Sequence, residues 1–301
     1  MSKVFQLILV MLLIFAGSIF LTPFLHLLLP MFKFEQIFNR LIMIFTIAAA
    51  VIFVICGQRR GNNVPAGRGF WRENGFDFSA PWKKLFVYGF LCGCLSVAFL
   101  IGWEVAFGAR YLRHPLLLQD IIERFFKGML SGGVVGIVEE FFFRGFIFNY
   151  LQKRIPVVLA VLLASAFYSL THFLDNGQVF IPQNASTGDA FRLVFGYLEP
   201  FQNRWAEIFP QFFGLFVFGI ILCISFMRTK SLFLSIGIHA GAVFAIKFQH
   251  SFVRKPLEDL NYPFFGKSSD YDGSFEWIVL ALLGFVLWFI ILPRLCKNPL
   301  R

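Results

Sequence analysis

Long apolar blocks separated by short polar interruptions dominate the chain. They fall at about 4–30, 37–56, 85–107, 128–150, 156–173, 209–227, 231–246 and 275–293. Blocks of 16 to 27 apolar residues repeated along a whole chain predict helices that cross a bilayer, whose hydrocarbon core needs about 20 residues of helix. The pattern predicts an all-α polytopic membrane protein with about eight transmembrane helices. The first block, Val4 to Pro30, is too long for a signal-peptide core and lacks a small-residue cleavage pattern, so a retained first helix is expected. No internal repeat, low-complexity tract or separate soluble domain interrupts the pattern. A single transmembrane domain over 1–301 is the expectation.

Composition sharpens this picture. Of 301 residues, 58% are hydrophobic and 15% charged, and Phe alone occurs 44 times; soluble domains carry closer to a quarter charged. The net charge of +10 comes from basic residues at helix ends, with none of the Lys/Arg clustering that would suit nucleic acid. With both termini on one side, the segments on that side hold 14 Lys/Arg in 47 residues and the opposite segments 12 in 93. That density difference places both termini in the cytoplasm. The Phe-rich composition without a targeting signal points to a bacterial plasma membrane. Segment 108–127, with Arg110, Arg113, Arg124 and Lys127 beside Asp120 and Glu123, is expected as an amphipathic helix on the membrane surface. Loop 57–84 reads as an interfacial connector, and 174–208 as the longest excursion, over the outer mouth. Five cysteines, odd in number and without a CxxC, indicate neither a disulfide framework nor a zinc knuckle.

One block departs from the apolar rule. Residues 136–145 read Gly-Ile-Val-Glu-Glu-Phe-Phe-Phe-Arg-Gly, placing Glu139, Glu140 and Arg144 at membrane depth. Bare charges there cost a few kcal/mol each and mark functional sites by default. Glu140 and Arg144 are four apart, hence neighbours on one helical face. Stepping back by fours adds Gly136, Gly132 and Gly128, a stripe of small residues on which another helix backbone can rest. A packing face with a structural ion pair accounts for the stripe but not for Glu139, about 100° round the helix. Desolvation and the adjacent like charge suit a carboxyl of this kind to acid–base work.

His172 and His239 sit in apolar surroundings, unlike His26, His114 and His250, which fall at block ends or in loops. Two imidazoles and two carboxylates from three helices permit two chemistries. A zinc ion held by His172, His239 and Glu139 could activate water. Alternatively, the Glu139/Glu140 pair takes the proton from water while His172, His239 and Arg144 complete the site. The residues leave both open, although the absence of HExxH excludes the familiar zinc helix.

These residues resemble the CAAX protease and bacteriocin-processing family of intramembrane endopeptidases, which includes the CAAX prenyl endopeptidase. The family carries EExxxR, FxxxH and HxxxN/D motifs. Here they stand as Glu139-Glu140-Phe-Phe-Phe-Arg144, Tyr168-Ser-Leu-Thr-His172 and His239-Ala-Gly-Ala-Val243. Tyr168 replaces Phe, and Val243 stands where the family has Asn or Asp; Ser235 lies one turn before His239 on the same face. The resemblance covers a core of about 125–250. It implies a membrane-embedded hydrolase, glutamate-type or a metalloprotease, cutting a lipidated or small secreted peptide. Some members are linked to bacteriocin immunity, so a non-catalytic immunity or scaffold protein of the same fold is the alternative. A proton-coupled carrier is disfavoured by the lack of inverted repeats.

Overall fold

The computed structural model describes residues 3–58, 68–79, 81–174, 179–182, 184–254, 264–266 and 271–295. Each apolar block coincides with helical structure over most of its length. The elements are α1 (Lys3–Leu28), α2 (Phe34–Gln58), α3 (Arg68–Glu73), α4 (Trp82–Ala106), β1 (Tyr111–Leu112), α5 (Leu118–Glu140), α6 (Asn149–Leu151), α7 (Val157–Thr171), α8 (Thr187–Gly196), α9 (Glu199–Asn203), α10 (Trp205–Thr229), α11 (Leu232–Gln249), β2 (Val253–Arg254), α12 (Ser274–Val286) and α13 (Leu292–Leu295). A π-helical segment, Phe141–Phe148, joins α5 to α6, and another, Leu287–Ile291, joins α12 to α13.

The chain is an all-α integral membrane protein. Among the described residues, five helices are long and apolar enough to cross a membrane: Leu9–Leu28, Trp82–Ala106, Trp205–Thr229, Leu232–Gln249 and Ser274–Leu295. α7 is apolar but only 15 residues long, about 22 Å at 1.5 Å per residue, short of a full hydrocarbon core. The region expected as a separate surface helix at 108–127 divides differently. Tyr111–Leu112 pairs antiparallel with Val253–Arg254, and Leu118 opens α5, which runs unbroken through Lys127 into the charged motif. The backbone has no reason to stop there: 118–127 holds no proline or glycine. Part of the 57–84 connector lies outside the described residues; the rest supplies α3 and an aromatic group in which Trp71, Phe76 and Phe141 stack against one another.

The helices form two compact units, Met1–Phe70 with His172–Ile208, and Trp71–Thr171 with Phe209–Arg301. In the first, α1, α2 and α8 meet around Ile19, Phe34, Phe38, Ala190 and Leu193. The Tyr197 hydroxyl donates to Asn39 Oδ1 at 2.7 Å. The long excursion 174–208 therefore has helices of its own. α8 opens on a capping box, in which the Asp189 carboxylate accepts from the Ser186 backbone N–H at 2.8 Å. That bond holds the Asp189 carboxyl below its usual range.

α11 is the centre of the second unit, and its sequence explains why. In lipid, helices associate through close packing rather than a hydrophobic drive, so small residues mark the contacts. Gly237 and Gly241 meet α4 at Gly89 and Gly93, reciprocally. A Cβ on Gly93 would lie 2.2 Å from the Ile238 carbonyl oxygen, and one on Gly241 2.2 Å from that of Phe90. The opposite flank of α11 rests on the α5 stripe. A Cβ on Gly132 would stand 2.5 Å from the Ala240 oxygen, and one on Gly136 3.1 Å from the Ile236 oxygen. Gly128, Gly132, Gly136 and Glu140 are all buried. The expected stripe is thus the α5–α11 contact, and it delivers Glu140 to the face of α11 that carries His239.

Gly133 provides an internal control, because a Cβ there would meet nothing within 4 Å. Gly132→Ala should destabilise the protein by about 1–3 kcal/mol through backbone overpacking. Gly133→Ala should be neutral or stabilising, since Ala is the better helix former by about 1 kcal/mol. Denaturation in mixed micelles of both variants reads the difference; equal stability would remove the close contact.

Candidate active site

Glu140 ends α5 and Arg144 lies one turn on, inside the π-helical segment. Short π insertions widen a helix locally and often occur at functional sites. Both side chains are buried, at 0% and 1% exposed, so water screens little of their interaction. Arg144 Nη1 donates to Glu140 Oε1 at 2.8 Å, and Nη2 to the Gly219 carbonyl of α10 at 3.2 Å. The guanidinium also lies over the Tyr168 ring at 4.4 Å, a cation–π contact. An aromatic ring is what this position needs, and Tyr supplies it as Phe would.

His239, from the middle of α11, reaches the same carboxylate. Its Nδ1 is 2.9 Å from Glu140 Oε1. A carboxylate paired with a guanidinium accepts, so the ring donates from Nδ1 and leaves Nε2 on the opposite side. Nε2 lies 3.9 Å from Glu139 Oε2. That gap is too long for a hydrogen bond and short enough for one water to bridge. Two aromatic edges hold the imidazole: Tyr168 at 5.9 Å and Phe218 at 5.7 Å between centroids, both nearly perpendicular.

The two acids are therefore unlike. Glu140 is enclosed between Arg144 and His239, whereas the Glu139 side chain is 30% exposed. The sequence treats them as a pair; the geometry encloses Glu140 and leaves Glu139 partly exposed, with its Oε2 turned inward toward His239. Ser235, one turn before His239, donates to the Leu232 carbonyl at 3.0 Å. Val243, one turn after, is half-buried.

The structure thus brings Glu139, Glu140, Arg144 and His239 together. His172 falls differently from the expectation of a helix interior. α7 ends at Thr171, whose hydroxyl donates to the Tyr168 carbonyl at 2.7 Å and satisfies one of the free last-turn acceptors. His172 follows in a turn, exposed, as the first residue of its segment of the other compact unit. Among the described residues, no group of three His, Cys, Asp or Glu side chains is placed to hold a metal ion. The donors here, His239 with Glu139 and Glu140, include a carboxylate already committed to Arg144. A three-ligand zinc set does not fit them.

Residues 122–245 match the type II CAAX prenyl endopeptidase Rce1-like family. Over this segment the match supports the resemblance to the CAAX protease family. The segment covers less than half of the chain, opens within α5 and closes within α11, and contains all three motifs. No curated protein and no solved structure matched the chain. That family is one of intramembrane proteases, and charged and imidazole side chains gathered among apolar helices agree with the likeness. Sequence reasoning had no motif for Phe218 or Gly219. Only the small residue at 219 hinted at a contact, and a Cβ there would lie 3.0 Å from Ser165 Cβ on α7.

Arg144→Ala leaves Glu140 buried with one cationic neighbour removed, and breaking such a pair costs about 3–5 kcal/mol. Adding Glu140→Gln should recover part of that loss, since no buried charge then lacks its partner. Stability of the single and double variants in detergent measures the coupling; strict additivity would mean the side chains act independently.

Proposed function

We propose that this protein is an intramembrane endopeptidase that hydrolyses a peptide bond in a membrane-associated peptide, prenylated or small and secreted, by glutamate-driven activation of water. The observation that carries the reading is the arrangement around His239. Its Nδ1 is engaged by a buried carboxylate–guanidinium pair, and its Nε2 faces Oε2 of a second carboxylate at 3.9 Å, on a side chain that is 30% exposed although that oxygen is buried. A water held between Glu139 and His239 Nε2 would donate one hydrogen to each.

In this scheme Glu139 takes the proton as the water oxygen bonds to the peptide carbonyl carbon. His239 Nε2 accepts a hydrogen bond from the other O–H, which stays on the attacking oxygen, and so orients the attack, while Glu140 and Arg144 fix the ring. Collapse of the tetrahedral species breaks the C–N bond, and the Glu139 carboxylic acid returns its proton to the departing amine. Atoms and charge balance without a further reactant. The aromatic-xxx-His pattern alone assigns His172 to stabilising the oxyanion. The immunity or scaffold alternative gains no support from a site in which a partly exposed acid stands beside an oriented imidazole. The Lys/Arg asymmetry supports termini on the cytoplasmic side, and the composition supports a bacterial plasma membrane.

Cleavage of a membrane-anchored and prenylated peptide library by protein in nanodiscs tests the reading. Glu139→Gln should lower kcat by about 10²–10⁴-fold, the usual contribution of a general base, with thermal unfolding unchanged. Undiminished cleavage by that variant would refute the assignment of the base. Chelator treatment should leave activity intact in the wild-type protein. Loss on chelation with recovery on adding zinc would replace the glutamate mechanism by a metal one.

A further inference from the structure

Tyr271 lies far from every motif in sequence, yet its ring abuts the site. Its backbone has φ +67°, a left-handed conformation in which a bulky residue crowds its own carbonyl and which Gly or Asn adopts far more readily. The conformation is gripped from two helices. Trp277 Nε1 of α12 donates to the Tyr271 carbonyl at 3.0 Å. On α10, Gly214 makes room for the same carbonyl, which would lie 1.9 Å from a Cβ at that position. Trp277 in turn packs on Phe213 of α10 at 4.8 Å between centroids.

The outcome of this constraint is a ring placed with little freedom. Tyr271 is 3% exposed and stacks on Phe218 at 5.5 Å with 25° between planes. Phe218, itself 2% exposed, meets His239 edge-on. The series Tyr271, Phe218, His239 therefore runs from a strained turn to the imidazole. A turn optimised for the backbone alone would carry Gly here. A residue held in an unfavourable conformation by its surroundings is a mark of a functional constraint.

We propose that Tyr271 is a positioning residue, whose ring, held by its left-handed backbone, presses Phe218 against His239 and fixes the direction of Nε2. The proposal rests on His239 serving in peptide hydrolysis as described above. It assigns the ring, and neither the phenol oxygen nor the turn, as the operative part.

Tyr271→Gly keeps the backbone conformation and removes the ring, and Tyr271→Phe keeps the ring and removes the hydroxyl. With ¹³C-histidine-labelled protein in nanodiscs, Tyr271→Gly should shift the His239 Cε1–H resonance, identified by its disappearance in His239→Gln. The same variant should lower kcat about tenfold or more, a misplaced reacting group having effects of that order, with KM little changed. Tyr271→Phe should match wild type in both. Where Tyr271→Gly fails to fold, Phe218→Leu interrupts the series at its middle member and should move the same resonance. An unmoved resonance and wild-type kcat in a folded Tyr271→Gly protein would overturn the proposal. So would Tyr271→Phe behaving like Tyr271→Gly, because the hydroxyl would then be the operative part. A wild-type protein without cleavage whose His239 resonance still moves in Tyr271→Gly supports the positioning and rejects the peptidase reading. A cleaving protein with an unmoved resonance rejects the positioning alone.

Discussion

One carboxylate oxygen holds this site together. Glu140 Oε1 receives Arg144 Nη1 and His239 Nδ1 at nearly equal distances, 2.8 and 2.9 Å, at a position closed to solvent. Neither partner could remain in such surroundings without it. A guanidinium needs a counter-charge at membrane depth, and an imidazole N–H needs an acceptor. The shared oxygen also links the end of α5 to the middle of α11, so two segments about a hundred residues apart are fixed at the level of single atoms. Arg144 extends the link to α10 through the Gly219 carbonyl and to α7 through Tyr168.

Such atomic placement requires the helices to come together at backbone distance, and the glycines make that possible. On α4, α5 and α11 glycines stand where an oxygen or amide of the next helix comes within van der Waals reach. The polar group and the packing are therefore two aspects of one arrangement. The bare stripe brings α5 onto α11, and the Glu140–His239 hydrogen bond at its end sets how far along they meet.

Much of this was legible in the sequence because it rests on local spacing. The i, i+4 relation of Glu140 and Arg144 follows from helical periodicity, and the Gly128–Gly132–Gly136 stripe from the same rule. The apolar blocks located the helices within a few residues. What spacing could not reveal was the division of labour between Glu139 and Glu140, since it depends on which acid faces α11. It also could not reveal the reach of α5, because periodicity alone did not distinguish a surface helix at 118–127 from the first turns of a longer one. α7 ends before His172 with no breaker residue to announce it, its last turn carrying only a side-chain hydrogen bond from Thr171. The reciprocal pairs Gly89/Gly93 and Gly237/Gly241 carry a visible four-residue spacing. Their partnership, in contrast, is a fact of the tertiary fold.

The backbone contact on both flanks of α11 has a consequence for traffic. Where two helices touch through carbonyl oxygens and Cα atoms, no side chain can swing aside, and a gap opens only if a whole helix moves. The α4–α11 and α5–α11 seams are accordingly walls. Any route to His239 therefore lies where side chains meet it, and those that do so from α7 and α10 are Tyr168 and Phe218. The same feature that brings Glu140 to within hydrogen-bonding distance of His239 thus also decides from which sides that imidazole is closed off.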